Sequence, residues 1–336
     1  MDGIILGIES TAHTFSFGRV STSGELFPSF SSLYRPEEGG IHPREAADHH
    51  SETTSLLLER LSSSEHFSWD SIIAVAFSQG PGLGPCLRVG ASVARTLSTR
   101  LSVPLLGVNH CVAHIEVGRN QTGCKDPVLL YVSGGNTQVI ARADGRYRVL
   151  GETLDIGIGN MLDKFARAQG IPFPGGPVIE KLAAQWLNDN PNPTMEGLEL
   201  PYAVRGMDLA FSGVLTAALR LVENGKPLEA VCWSLQEHVF SACVEVAERA
   251  LAHTGKTELL LGGGVACNSR LRTMCELMCE ERDSKSYVPP RMYCIDNGTM
   301  IARLGWLELG AGRVTKFDDS AIDQYLRTDQ TPIIWA

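Results

Sequence analysis

Apolar and polar positions fall into the same order twice along this chain. Gly3-Ile4-Ile5-Leu6-Gly7-Ile8-Glu9-Ser10-Thr11 is an apolar strand ending in a polar turn, and Thr14-Phe15-Ser16-Phe17-Gly18-Arg19-Val20 is a second strand. About 125 residues later, Pro127-Val128-Leu129-Leu130-Tyr131-Val132-Ser133-Gly134-Gly135-Asn136-Thr137 repeats the first and Gln138-Val139-Ile140-Ala141-Arg142-Ala143 the second. Each pair then meets a Gly-containing turn, Ser23-Gly24 and Asp144-Gly145, that leads into a third strand. The echo predicts a duplicated α/β domain. In such an arrangement the two polar turns face each other across a cleft, where their backbone N–H groups hold phosphates.

Helices fill the intervals. Pro43 to Leu61 carries apolar residues at Ala46, Ala47, Leu56, Leu57, Leu58 and Leu61, with His49 and His50 on the same segment. Leu87 to Arg100, Leu182 to Leu187, Leu215 to Val222 and Val231 to Ala252 read as further helices. Ile72-Ile73-Ala74-Val75-Ala76-Phe77 is a continuous apolar run, as expected of a buried central strand, and Val103 to Asn109 is a shorter one. Glu258 to Leu261 forms a strand entering Gly262-Gly263-Gly264, and Asn268 opens the next helix. Asn188 to Leu200, rich in Asn and Pro, reads as a loop or small insertion. The expected division is a lobe at residues 1–120 and a lobe at 121–336, with the last helices packing back on the first.

Composition narrows the class. With 336 residues, 43% hydrophobic and 20% charged, the chain has room for two cores. No run approaches the ~20 apolar residues of a membrane span, and the N-terminus lacks a basic-then-apolar signal pattern. Nine Cys, an odd number without a C-x-x-C pair, point to free thiols in a reducing, cytoplasmic setting. The formal charge of −9 argues against a large nonspecific nucleic-acid surface. A nucleic-acid substrate would then need local basic patches or basic partner proteins.

The chemistry concentrates in His110-Cys111-Val112-Ala113-His114, read together with Asp296-Asn297-Gly298 far downstream. Two His at i and i+4 leave one helix face a turn apart, a separation from which two ring nitrogens reach one metal ion. The alternative is two polar residues on a solvated helix. A zinc peptidase of the H-E-x-x-H kind is disfavoured, because Cys111 stands where the general base belongs. Three Gly-rich turns follow apolar strands: Gly80-Pro81-Gly82-Leu83-Gly84, Ser133-Gly134-Gly135-Asn136-Thr137 and Gly262-Gly263-Gly264. Each alone is an ordinary turn; together they point to a nucleotide, although none matches a P-loop or a Rossmann fingerprint. Glu180, in the first turn after Pro174-Gly175-Gly176-Pro177, and Asp163 read equally as helix-dipole compensation or as ribose-binding carboxylates.

These residues also carry a family resemblance. Gly7 to His13, Arg44 to His50, Ser78 to Leu83, Asn109 to His114, Val132 to Gln138, Leu154 to Gly157, Pro174 to Pro177, Ala210 to Gly213, Gly262 to Asn268 and Asp296 to Gly298 belong to it. From about residue 3 to Arg327 the chain resembles the catalytic subunits of tRNA threonylcarbamoyladenosine synthase, once labelled O-sialoglycoprotein endopeptidases. The compact length and Tyr131 before Val-Ser-Gly-Gly resemble the archaeal and eukaryotic branch, which works in the KEOPS complex. The resemblance implies an actin-like, sugar-kinase-like α/β ATPase fold of two lobes around a nucleotide cleft. It implies transfer of a threonylcarbamoyl group from threonylcarbamoyl-adenylate to N6 of the adenosine next to the anticodon, in tRNAs reading codons that begin with A. AMP leaves.

By matching position, His110, His114 and Asp296 resemble the family's ligands for one divalent metal ion, iron or zinc, with Tyr131 a fourth. Tyr131, Val132, Ser133, Gly134 and Gly135, joined by Asp163, Gly176, Glu180 and Asn268, would line the adenylate or ATP. The implied partners are tRNA, a small kinase-like ATPase, a dimerising subunit and an accessory subunit, with no membrane. Competing classes are a metalloprotease, a metal-dependent actin-like ATPase or small-molecule kinase, and a noncatalytic tRNA- or DNA-binding protein.

Overall fold

The computed structural model describes residues 3–36, 40–65 and 67–335. The first half runs β1 (Ile4–Glu9), β2 (Thr14–Ser21), β3 (Leu26–Leu33), α1 (Pro43–Ser62), β4 (Ile72–Gly80), α2 (Gly84–Leu101), β5 (Leu105–Asn109) and α3 (His110–Thr122). The second begins β6 (Val128–Val132), β7 (Thr137–Ala143), β8 (Arg146–Glu152), α4 (Ile158–Ala168) and α5 (Gly176–Asp189). A short hairpin, β9 (Val204–Arg205) and β10 (Asp208–Leu209), precedes α6 (Ser212–Glu223) and α7 (Leu228–Thr254). Then come β11 (Glu258–Gly262), α8 (Ser269–Glu281), β12 (Lys285–Tyr287), α9 (Arg291–Cys294) and α10 (Gly298–Gly310).

The strands form two five-stranded sheets of identical order, β3-β2-β1-β4-β5 and β8-β7-β6-β11-β12. In each, an antiparallel meander of three strands is extended by two parallel ones. The duplication read from the apolar pattern is therefore a duplication of topology, strand for strand. β1 and β2 are buried at every position, which is why their apolar residues do not alternate cleanly with polar ones. The expected helices are all present. α5 is longer than the Leu182–Leu187 core of its pattern, and α4 and α10 have no bounds in the sequence reading, which implies a helix at Asp163 and late helices against the first lobe. No helix among the described residues is long and apolar enough to cross a membrane.

Each lobe has its own core, and a third joins them. The joining core is built from α3, α10 and the facing sides of both sheets, including Ile5, Val108, Leu129, Ile140 and Leu260. α3 is buried from His110 through Gly118, so it is a central helix rather than a surface one. The solvated-helix alternative for His110 and His114 fails on this point.

α10 comes late in the sequence yet packs on β1 and β2. The contact depends on glycine. Gly7 and Gly18 are directly paired across the two strands. A Cβ added at Gly18 would lie 2.0 Å from the Thr299 nitrogen, and one at Gly7 would lie 2.2 Å from the Gly298 oxygen. Backbone thus meets backbone, and the Gly298 N–H donates to Ser16 Oγ at 3.0 Å. The Asn297 side chain caps α10, accepting from the Met300 N–H at 2.9 Å. The chain then returns across both sheets: the Thr315 N–H donates to Leu105 O, the Asp323 N–H to Gln79 O and the Ile333 N–H to Gly145 O. Because a methyl group at residue 18 has only backbone to displace, Gly18→Ala is expected to lower the unfolding free energy by about 3 kcal/mol. A urea midpoint that falls at unchanged slope is the measurement; an unmoved midpoint would show the seam to be loose.

Candidate metal and nucleotide site

β5 ends at Asn109, whose side chain accepts from the Cys111 and Val112 N–H groups at 2.9 and 3.2 Å and so starts α3 at once. His110 and His114 leave α3 one turn apart at this strand end, the position where open α/β sheets place ligands. α10 delivers Asp296 from the other side. His114 Nε2 lies 3.2 Å and His110 Nε2 3.5 Å from Asp296 Oδ1. Tyr131, from the end of β6, puts its hydroxyl 3.3 Å from His110 Nε2. Glu9, from the end of β1, lies 2.9 Å through Oε2 from His110 Nδ1, and its Oε1 accepts from the Thr11 N–H at 2.6 Å.

The electrostatics follow from burial and from these neighbours. Burial alone would lower the His110 imidazole, but the Glu9 and Asp296 carboxylates lift it to about 9. Burial holds His114 below its ordinary value. Burial would raise Asp296, yet the two imidazoles keep it well below the usual carboxylate range. The Tyr131 phenol is pushed far up by burial. One protonated and one neutral imidazole therefore share a carboxylate in a buried pocket.

The donor set fits a divalent cation. One ligand atom from each of His110, His114 and Asp296 lies within 4.8 Å of the others. Nitrogen and carboxylate oxygen suit such an ion. Glu9 engages the Nδ1 of His110 and leaves Nε2 facing Asp296, the outer-shell arrangement that fixes a metal-binding imidazole. Cys111 points into the core, with its thiol pushed up to about 12 by burial, and serves as neither base nor nucleophile.

Above this cluster opens a cavity of about 800 Å³. Its floor is Thr11, His110, Tyr131 and Asp296; one side is Ser133 to Asn136, continued by α4; the other is Pro81, Gly82 and Leu83. Of the three Gly-rich turns, two thus face the cavity. The third abuts the second from behind: Gly263 has φ +88°, and a Cβ there would lie 2.4 Å from Val132 O.

The expected adenylate residues divide between two places. Tyr131, Ser133, Gly134, Gly135 and Asp163 line the cavity, whereas Val132 belongs to the core and Gly176, Glu180 and Asn268 do not line it. Glu180 accepts from the Ser269 N–H and Oγ at 2.8 and 2.5 Å. Asn268 caps α8 and donates to Gln236 Oε1 at 2.8 Å. Asp163 Oδ1 accepts from the Gly175 N–H at 2.7 Å, so a chain of contacts links the cavity wall to the starts of α5 and α8. The pattern faces Glu9, Ser10 and Thr11 toward the cleft without giving them a role, and it assigns none to His13, Lys164 or Arg167. His50 is buried against Phe15 with Nε2 3.0 Å from Ala12 O, and half-buried His49 places Nε2 3.0 Å from Ser32 Oγ.

His110→Ala with His114→Ala is expected to abolish metal retention, as read by elemental analysis of the purified protein; unchanged content would place the ion elsewhere. Since His110 is protonated up to about pH 9 in the metal-free chain, cation binding displaces its proton. Affinity should therefore climb through the neutral range and level off near pH 9. Calorimetric titration in buffers of different ionisation enthalpy reads the released proton directly.

Comparison with known proteins agrees with this geometry. The family model described as TsaD, tRNA N6-adenosine threonylcarbamoyltransferase, matches residues 29–303. The chain is 51% identical over 333 residues to the tRNA N6-adenosine threonylcarbamoyltransferase of Thermococcus kodakarensis, covering 99% of both. It is 51% identical over 332 residues to a probable bifunctional tRNA threonylcarbamoyladenosine biosynthesis protein of Methanocaldococcus jannaschii, but spans only 60% of that protein's length. Among solved structures, HypF of T. kodakarensis aligns with 92% of this chain and 48% of its own at TM-score 0.61 and 15% identity. Component A of (R)-2-hydroxyglutaryl-CoA dehydratase from Acidaminococcus fermentans aligns with 92% and 99% at TM-score 0.56 and 12% identity. At that identity they speak for the fold alone, the two-lobed actin-like α/β fold. With its matching model and its near-full-length relative, the chain belongs to the tRNA N6-adenosine threonylcarbamoyltransferase family.

Proposed function

We propose that this chain transfers the threonylcarbamoyl group of threonylcarbamoyl-adenylate to N6 of the adenosine 3′ of the anticodon, in tRNAs reading codons that begin with A. The observation that carries this reading is the His110, His114 and Asp296 cluster, whose His110 and Asp296 floor a cavity walled by a Gly-rich turn, in a chain of this family. Family relatives named as bifunctional are longer than this chain, so the activity is a reading of its own residues.

In this reading the reacting carbon sits over the cluster. Ser133 and Asn136 close their turn on each other, the Ser133 N–H donating to Asn136 O at 2.8 Å and the Asn136 N–H to Ser133 Oγ at 3.1 Å. The Gly134 and Gly135 N–H groups are then left to donate to the AMP phosphate. Asp163 on the cavity wall is the nucleoside contact, with Gly176, Glu180 and Asn268 joined to it through the contacts at the starts of α5 and α8. The bond from N6 to the carbamoyl carbon forms, the bond from that carbon to the phosphate oxygen breaks, AMP leaves with the electron pair, and one N6 proton passes to solvent. His110, His114, Asp296 and Tyr131 would hold a divalent cation, iron or zinc, which when bound polarises the carbamoyl oxygen. Glu9 keeps the His110 ring in place throughout.

A chain of net charge −9 is poorly matched to tRNA, whose binding depends on neutralising phosphates. We therefore propose that it works in the cytoplasm with the KEOPS subunits, which supply cationic surface. Reconstitution with threonine, bicarbonate, ATP, an adenylate-forming enzyme and an A-codon-reading tRNA tests both parts. Threonylcarbamoyladenosine is expected only when the partners are present. Full turnover by the chain alone would remove the partner requirement. Phosphorylation of a small molecule, with no modified tRNA, would favour the kinase class.

A further inference from the structure

α4 carries one polar stripe, Asn160, Asp163, Lys164 and Arg167, at the i, i+3, i+4, i+7 spacing of a single helix face, and all four residues line the cavity. The opposite face, Ile158, Met161, Leu162, Phe165 and Ala166, is core. A charged stripe on a helix is ordinarily a solvated surface; this one is a wall of a cavity. Its first half is engaged. The Asn160 N–H donates to Gly134 O at 3.0 Å, and Asp163 accepts from the Gly175 N–H. The second half is not. Neither Lys164 nor Arg167 makes a side-chain hydrogen bond or ion pair with any described residue. Arg167 also reaches across the cleft mouth: a Cβ added at Gly40 of the first lobe would lie 3.1 Å from its Nη1. Two cations thus face the cavity with no side-chain hydrogen bond or ion pair among the described residues, Arg167 only partly offsetting the burial that raises Asp163, while the carboxylate of Asp296 on its floor is matched by the imidazoles beside it.

The substrate of the proposed reaction has two anionic groups. Its phosphate is assigned to the turn at 133–136. Its second anion, the threonine carboxylate, is separated from the reacting carbonyl carbon by one nitrogen and one Cα, so it must lie in the same cavity. In that reading the floor is taken by the cation and the carbamoyl oxygen it polarises, which leaves the carboxylate to a wall of the cavity. Resting on the function proposed above, we infer that Lys164 and Arg167 bind the α-carboxylate of the threonyl moiety and thereby select an amino-acid-derived carbamoyl group over an uncharged one. A guanidinium engages a carboxylate with two parallel N–H donors and an ammonium adds a point charge, so the pair fits this ion. Contact with tRNA phosphate fits less well. Lys164 and Arg167 are exposed at the open side of the cavity, but polynucleotide binding takes many charges, not two.

The test is calorimetric binding to the full, metal-loaded chain. The probes are a non-hydrolysable analogue of threonylcarbamoyl-adenylate with a sulfamoyl group in place of phosphate, its threonine methyl ester, and AMP. The chain is expected to bind the acid about tenfold or more tightly than the ester. In Lys164→Met, Arg167→Met and the double variant this preference should fall progressively to below about threefold, with AMP affinity changing far less. An unchanged acid-over-ester preference in the double variant, or none in the parent chain, would overturn the assignment. So would variants that lose tRNA affinity while keeping the preference. Since binding is read without turnover, a preference lost in the variants of a chain that forms no modified tRNA would sustain the subsite and remove the reaction. Transfer with an unaltered KM for the adenylate in the double variant would do the reverse.

Discussion

The site exists because two backbones touch. Where Gly7 and Gly18 pair across β1 and β2, the start of α10 lies directly on the sheet, closer than any side chain would allow. Asp296 is two residues before that contact and has little freedom of its own. The Asn297 cap and the Ser16 hydroxyl, which takes the Gly298 N–H, fix the direction in which the chain enters the helix. Asp296 consequently meets the His110 and His114 rings that α3 presents from below. Dispersion and close packing hold this seam, and a shift of one methyl group would be felt at the ligand cluster.

A cluster of this kind is costly to the fold. Glu9, His110 and His114 are almost wholly buried, and taking charges out of water is repaid only when each finds its partners. Here the repayment is arranged in pairs: Glu9 against His110 and the Thr11 N–H, Asp296 against both imidazoles. His114 Nδ1 remains buried without a partner among the described residues, a loose end that an apolar core would not carry. Strongly shifted groups converging at one cleft floor are where preorganised chemistry is ordinarily found. The cavity above is wide enough for a nucleotide and its acyl group, with polar turns on one side and α4 on another.

The sheets were largely legible. Continuous apolar runs and Gly-bearing turns marked the strands of both meanders, because a strand buried on both faces needs no alternation. His110 and His114 were legible as a pair because helical spacing alone makes them neighbours. Glu9 was not: nothing local in an acidic residue closing a strand tells which ring it will meet a hundred residues later. The bounds of α10 escaped notice because its small, apolar sequence is set by packing on all sides rather than by an exposed face. Lys164 and Arg167 show the converse. Their spacing is plain in the sequence, but only the opposing lobe turns a solvated stripe into a wall. Glu180, read as a ribose contact, is engaged by Ser269, from a helix almost ninety residues away.

The lateness of α10 in the chain has a consequence for how the protein is made. The ribosome completes β1, β2 and α3 long before residue 296 emerges, so the Gly7–Gly18 surface has no cover during most of synthesis. The first sheet can form its hydrogen bonds, but one face stays wet until the second lobe has been translated and α10 folds back. His110 and His114 likewise wait for their third ligand until nearly nine-tenths of the polypeptide exists. Acquisition of the ion is thus a closing event of biogenesis, and a nascent chain halted before Asp296 carries two histidines with no complete place to put a metal.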